Sequence, residues 1–372
     1  MAGQSGCNIN CATSVGASLN QRCACEVVDV LRLHESIRAA FSESMSDPAV
    51  HAHLFSRYAL FVDRAALDAM GRVAAALFEV AENPRYRERV LQWAPDIATH
   101  YPGSAGGVLG LDFHLTVDGP RLIEVNTNPG GLLLNAVLLD AVRSCAPAAW
   151  TTWTTATEAH SAAVAAWLDD ARQQSGRAPS RVAIVDSAPR EQFLYPEFEL
   201  YADAFREHGV DCVIRAPEDL RFGPEGLADA DGPIDMVYNR LTDFALEEAS
   251  HADLRQAYLA GDVALTPHPR AHALFADKRN LAVLGDAALL GGFGVDAGLT
   301  ALLAEVIPTT VEVVPGNRDA LWAARNGYFF KPAAGFGSRG SYRGDKLTRR
   351  TWESMASATY IAQAFAPPSM RI

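Results

Sequence analysis

The chain lacks what a membrane protein needs. Its most apolar stretch, 284–307, is interrupted by Asp286, Asp296 and Glu305, so no run reaches a bilayer span free of acids. Basic residues number 32 against 44 acidic ones, a formal net charge of −12, and that sign disfavours nonspecific contact with nucleic acid or anionic lipid. The first residues carry no basic region followed by an apolar core, so no secretory signal is expected and the expected location is the cytoplasm. Cysteine is rare, six in the whole chain, yet Cys7, Cys11, Cys23 and Cys25 crowd into a leader spanning 1–26. Clustered thiols in such a location suggest Zn²⁺ held by four thiolates, or an Fe–S cluster. The C-x3-C-x11-C-x-C spacing is not a standard one, and a polar leader with incidental thiols explains it equally well. No metal is assigned there.

Length and apolar content are ample. At 372 residues and 49% hydrophobic, the chain can bury a sizeable core and suits two or more subdomains. From Val27 to about Thr99 the apolar spacing is helical, clearest over 63–80. Pro84 to Arg89, with Arg85 and Arg87, reads as an exposed helix face. His51 and His53, two apart, would point away from each other on a helix, so they read as surface groups rather than ligands. Tyr101 to Gly107 is a Pro/Gly loop.

After that loop comes the most informative stretch, Gly110 to Gly131. Leu111 to Val117 alternates apolar and polar residues, Asp118-Gly119-Pro120 signals a turn, and Leu122 to Val125 resumes the alternation. This is a β-hairpin pattern. It sets Asp112 across from Glu124, with Asn126 on the same face two residues on. Two carboxylates and an amide oxygen are hard donors that suit Mg²⁺. A lone Glu-x-Asn on a hairpin also describes ordinary solvated acids. Pro129-Gly130-Gly131 ends the strand, and Leu132 to Val142 reads as a helix packed beneath it.

Ala162 to Gln174 is again helical, and 175–180 (Ser-Gly-Arg-Ala-Pro-Ser) has the composition of a linker. Beyond it strands and helices alternate: Arg181 to Asp186, a helix over Glu197 to His208, Gly209 to Ile214, and Ile234 to Tyr238. Such alternation implies a small parallel sheet. The third strand runs into Asn239 and Arg240, and strand C-termini are where open parallel sheets bind ligands. Arg240 therefore reads either as a holder of a substrate carboxylate or as a salt-bridge partner of Asp243 closing the turn. Thr266 to Arg270 reads as a loop, and a helix capped by an acid begins around Asp277.

Tyr328 to Pro332 is a short strand ending in Lys331, followed by Gly335, Gly337, Ser338, Arg339 and Gly340. A lysine at the base of a glycine loop offers a cation and backbone N–H groups to phosphates. Together the acid–amide hairpin and the lysine–glycine loop resemble the ATP-grasp ligases, glutathione synthetase-like members included. Because the hairpin precedes the glycine loop by about two hundred residues, the resemblance is to the circularly permuted group of that superfamily. It covers Gly103 to Gly131 and roughly Ile234 to the end.

The resemblance implies an α/β protein with an ATP-grasp nucleotide fold, a small parallel α/β domain and an N-terminal helical segment. The expected divisions are the leader 1–26, a helical segment plus metal hairpin over 27–175, the α/β domain over 176–265, and the lysine and glycine-loop half over 266–372. It implies ATP held by Lys278, Lys331, Gly335, Gly337, Ser338, Arg339 and Gly340. Gln363 and Phe365 would lie at the hinge strand that meets adenine, and Asp112, Glu124 and Asn126 would hold two Mg²⁺ ions. The implied activity joins a small-molecule carboxylate to an amine, less often a thiol, through an acyl-phosphate, with Arg240 and Lys331 acting on the reactants. The sequence ends seven residues after Phe365, where the family usually adds further strands. Either the early hairpin supplies the remainder or the chain is shortened. A kinase on the same scaffold and a non-catalytic nucleotide-binding or scaffold protein stay open beside the ligase.

Overall fold

The computed structural model describes residues 16, 18, 20, 29–41, 52–56, 58, 60–145, 155–335, 337 and 339–368. Cys7, Cys11, Cys23, Cys25, His51 and Ser338 lie outside them.

The architecture is mixed α/β, with one parallel sheet and three antiparallel ones among the described residues. The hairpin pairs β1 (Gly110–Thr116) with β2 (Gly119–Asn126). Gly119, with φ +108, takes the left-handed conformation the tight turn needs. The parallel sheet has the order β4-β3-β8-β9, with β3 at Arg181–Val185, β4 at Asp211–Arg215, β8 at Met236–Asn239 and β9 at Ala264–Thr266. Between β4 and β8 sits a small meander, β5 (Arg221–Gly223), β6 (Gly226–Asp229) and β7 (Gly232–Pro233). The last sheet runs β10-β13-β11-β12, with β10 at Thr310–Glu312, β11 at Tyr328–Pro332, β12 at Tyr342–Arg343 and β13 at Tyr360–Ala364.

Period-two alternation divides the parallel sheet between two cores. Val182 and Ile184 join Trp167, Tyr201 and Tyr238 on one face, while Ala183 and Val185 join Leu254, Tyr258 and Leu265 on the other. Both faces are covered, as a parallel sheet requires. The helix expected over Ala162 to Gln174 starts earlier, at Ala156–Ser175, because Thr155 and Glu158 form a capping box. Trp167 and Ala171 of that helix share a core with Val182 and Phe198, so apolar packing continues across 176–180.

One loop and one helix cap need correction. Thr266 ends β9, and Pro269–Phe275 is a helix whose N-cap is His268, the ring nitrogen accepting from the N–H of Ala271. A proline at the first helical position starts a helix as readily as it marks a loop. Downstream, Asp277 accepts from the N–H of Arg279 at 2.9 Å and pairs with the Arg279 guanidinium at 2.6 Å. The short helix Asn280–Leu284 follows without a side-chain cap of its own.

Candidate functional site

The hairpin owes its two faces to its register. Leu111 pairs with Val125, and Leu122 and Val125 are buried against helices Arg64–Glu82 and Ala297–Val306 through Val73, Leu77, Val80 and Leu303. Asp112 pairs with Glu124 and Gly110 with Asn126, so the polar residues share the opposite face. A bulge between Asp112 and Phe113 turns the strand there. Asn126 Nδ2 donates to Asp112 Oδ2 at 3.4 Å. The Asp112 carboxyl is held above the usual carboxylate range by loss of water on its inner side and then by repulsion from Glu124.

Two lysines from the far half of the chain reach this face. Lys278 Nζ lies 3.2 Å from Glu124 Oε1 and donates to Gly335 O at 3.0 Å. Lys331 Nζ donates to Ile123 O at 2.8 Å and to Gln363 Oε1 at 3.0 Å. Both lysines are buried. Burial pushes the Lys331 ammonium down to about 8, opposed by the attraction of Glu124. Three glycines of the loop take left-handed φ, Gly335 at +154, Gly337 at +62 and Gly340 at +70, which aims successive backbone groups in directions other residues reach at a cost. Arg339 is exposed on this loop.

Strand β13 sits at the centre of its sheet, between β10 and β11. Gln363 is buried, accepting from Lys331 and donating to Thr310 Oγ1 at 3.4 Å. Its side chain therefore braces Lys331. Phe365 is half-buried under the Arg343 guanidinium, 4.8 Å from the ring centre. One residue on, Ala366 O meets the His114 ring at 2.6 Å, tying the end of this strand to β1.

Arg240 is buried directly after β8, its Nη1 donating to Asn128 Oδ1, to Pro129 O at 3.2 Å and to Tyr238 OH at 3.3 Å. It thus stands beneath the loop that leaves Asn126. The alternative salt bridge to Asp243 does not form: Asp243 accepts from His251 Nδ1 and from the N–H of Glu248, each at 2.8 Å. The same loop is anchored by Glu197, fully buried, which accepts from Gly131 N at 2.7 Å and Leu133 N at 2.9 Å at the start of helix Leu132–Cys145. A carboxylate at a helix N-terminus satisfies donors the helix leaves open.

The structure therefore brings Asp112, Glu124, Asn126, Lys278, Lys331 and Gly335 together, with Arg240 beneath the adjoining loop. Several neighbours escaped the sequence reading. His272 is half-buried, meets Thr127 Oγ1 at 3.3 Å, stacks on Phe244 at 3.8 Å, and is pushed down to about 3 by loss of water around its ring and then by Lys278. Asp186, the residue after β3, is buried beside Arg240 and lifted to about 6 by burial, against the opposing pull of the Ser187 N–H and the Arg240 charge. The strand-end rule that singled out Arg240 would also have found Asp186. His53, by contrast, is exposed against Phe193 and apart from any ligand set. Among the described residues no group of three or more His, Cys, Asp or Glu is arranged to hold a metal.

No family model matches the chain, and no curated protein does. Among solved structures, a protein from Methylobacillus flagellatus KT provisionally named a gamma-glutamylcysteine synthetase is similar with TM-score 0.41 and 11% identity. That match covers 78% of this chain and 74% of that one. D-cycloserine synthetase is similar with TM-score 0.30 and 19% identity, over 50% of this chain and 59% of its own. Likeness this weak carries no weight for fold or function.

Proposed function

We propose that the protein is an ATP-dependent carboxylate–amine ligase on a circularly permuted ATP-grasp scaffold. One observation carries the reading. Two hairpin carboxylates and two buried ammonium groups meet on one face, with the Lys331–Ile123 bond spanning 208 positions. Burying a lysine against neutral acceptors is a costly way to hold a fold together. A polyphosphate with its cation would match both charge sets.

Asp112, Glu124 and Asn126 fit Mg²⁺ by donor chemistry: all are hard oxygens on one face, and Asn126 uses its Nδ2 on Asp112, leaving Oδ1 as acceptor. Bound there, Mg²⁺ would neutralise charge on phosphate oxygens. Lys278 and Lys331 supply fixed positive charge to those oxygens, needing no reorganisation at the moment of transfer. The loop 335–340 closes over the phosphates and excludes water, while the strand carrying Gln363 and Phe365 flanks the base. The γ-phosphoryl group passes to the substrate carboxylate, giving ADP and an acyl-phosphate. The amine then attacks the carbonyl carbon, phosphate leaves, and the amine loses its proton.

The test is product counting with ATP, Mg²⁺ and a panel of amino acids and polyamines. ADP with a new amide supports the ligase. ADP with a stable phosphorylated product would replace it with a kinase, and no ADP would replace it with a nucleotide-binding protein.

A further inference from the structure

A second set of charges gathers at the C-terminal edge of the parallel sheet. β3 and β8 are adjacent and parallel, so Asp186 and Arg240, the residues that follow them, leave the sheet on the same side. Both are buried, Asp186 8% exposed and Arg240 7%. Their charges are not matched by the groups around them. Asp186 Oδ1 accepts from the N–H of Ser187 at 2.8 Å and the carboxylate makes no ion pair. Arg240 meets neutral acceptors, and its Nε has no partner. Glu197, an acid whose charge reaches Arg240, is committed to the backbone of Gly131 and Leu133.

Asp186 and Arg240 feel each other's field without reaching ion-pair distance. His251 adds a third group: it is 1% exposed, its Nδ1 is bonded to Asp243, and its Nε2 has no hydrogen-bond partner, with Glu248 3.9 Å away. Unpaired buried charges cost several kcal/mol each, so a fold that keeps two of opposite sign side by side has a use for the gap between them. Neighbouring strands stand about 4.8 Å apart, a spacing suited to opposite charges on a single carbon.

We propose that this edge binds a zwitterionic α-amino acid, Arg240 receiving its carboxylate and Asp186 its ammonium group. The assignment rests on the ligase reading and makes the amino acid one of that enzyme's two substrates. A diamine would set a cation against Arg240 and a dicarboxylate an anion against Asp186, so both are rejected. The loop 128–131 above Arg240 joins this edge to the hairpin.

The experiment is nucleotide-free. Each standard amino acid is screened by thermal shift, and the best is titrated by calorimetry against its decarboxylated amine and its deaminated acid. At least one amino acid should bind, both half-molecules should bind about tenfold more weakly or worse, and Asp186→Asn should lose about tenfold for the amino acid while leaving the deaminated acid unchanged. No amino acid binding, or half-molecules that bind as well as the whole, would overturn the proposal without any variant. Mg²⁺–ATP titrated into the same preparation separates the two ideas. Nucleotide binding without amino acid binding removes this edge but keeps the ligase. Amino acid binding without nucleotide binding does the reverse.

Discussion

Lys278 Nζ lies 3.2 Å from Glu124 Oε1 and donates to Gly335 O at 3.0 Å, so one ammonium group joins the hairpin carboxylate to the glycine loop. A cation on that carboxylate competes with any metal ion for the same oxygen. Replacing Lys278→Met leaves Glu124 facing the site without its partner. Denaturant unfolding should show a loss of about 1–3 kcal/mol, the cost of stranding a partly buried polar group. Added Mg²⁺ should recover part of that loss in the variant. Unchanged stability would mean the pair is incidental.

Nucleotide binding should depend on divalent metal. Calorimetry with ATP should give markedly weaker binding without Mg²⁺, and Glu124→Gln should remove most of the difference. Equal affinities with and without the ion would discard the hairpin as its site.

Lys331→Ala should weaken ATP binding more than about tenfold, since a charge-assisted contact is worth more than the 1.4 kcal/mol that sets a factor of ten. Far-ultraviolet circular dichroism would verify that the variant folds, because Lys331 also braces Gln363. An unaltered dissociation constant in a folded variant would take Lys331 out of the site.

Asp186 gives a prediction in pH. Its carboxyl is lifted from 3.8 to about 6, burial first and the bond from Ser187 opposing it. Between those two values the native state keeps a proton that the unfolded chain has lost. Stability contributed by this group therefore falls as pH rises through that window and stays lower above about 6. Asp186→Asn cannot ionise, so it should melt higher than the parent at neutral pH and about level with it near pH 4. A variant that melts lower at both pH values would contradict this account.

The sequence was legible where local chemistry decides the outcome. Alternation and a turn signal were enough to pair Asp112 with Glu124, and βα alternation was enough for the parallel sheet. The meander over Arg221–Pro233 went unread because two- to four-residue strands carry too little pattern to rise above turn composition. The absence of a salt bridge from Arg240 to Asp243 traces to a residue eight positions beyond Asp243 in the chain, His251, which takes that carboxylate. Proximity in space, not propensity, settled that case. The same holds for Glu197, whose place at the start of helix Leu132–Cys145 no spacing announces.

The bond from Lys331 to Ile123 also has a consequence for how the molecule is made. At about 5–20 residues per second, the 208 positions between its ends take roughly 10–40 s to synthesise. For most of that interval the hairpin waits while neither Lys278 nor Lys331 has been made. Asp112 and Glu124 then stand as two neighbouring carboxylates without Lys278 or Lys331 beside them. Closing so long a loop must also wait for the intervening elements to pack. The site is thus among the last parts of the chain to assemble, and a polypeptide halted before Lys278 carries its acids without their counter-charge.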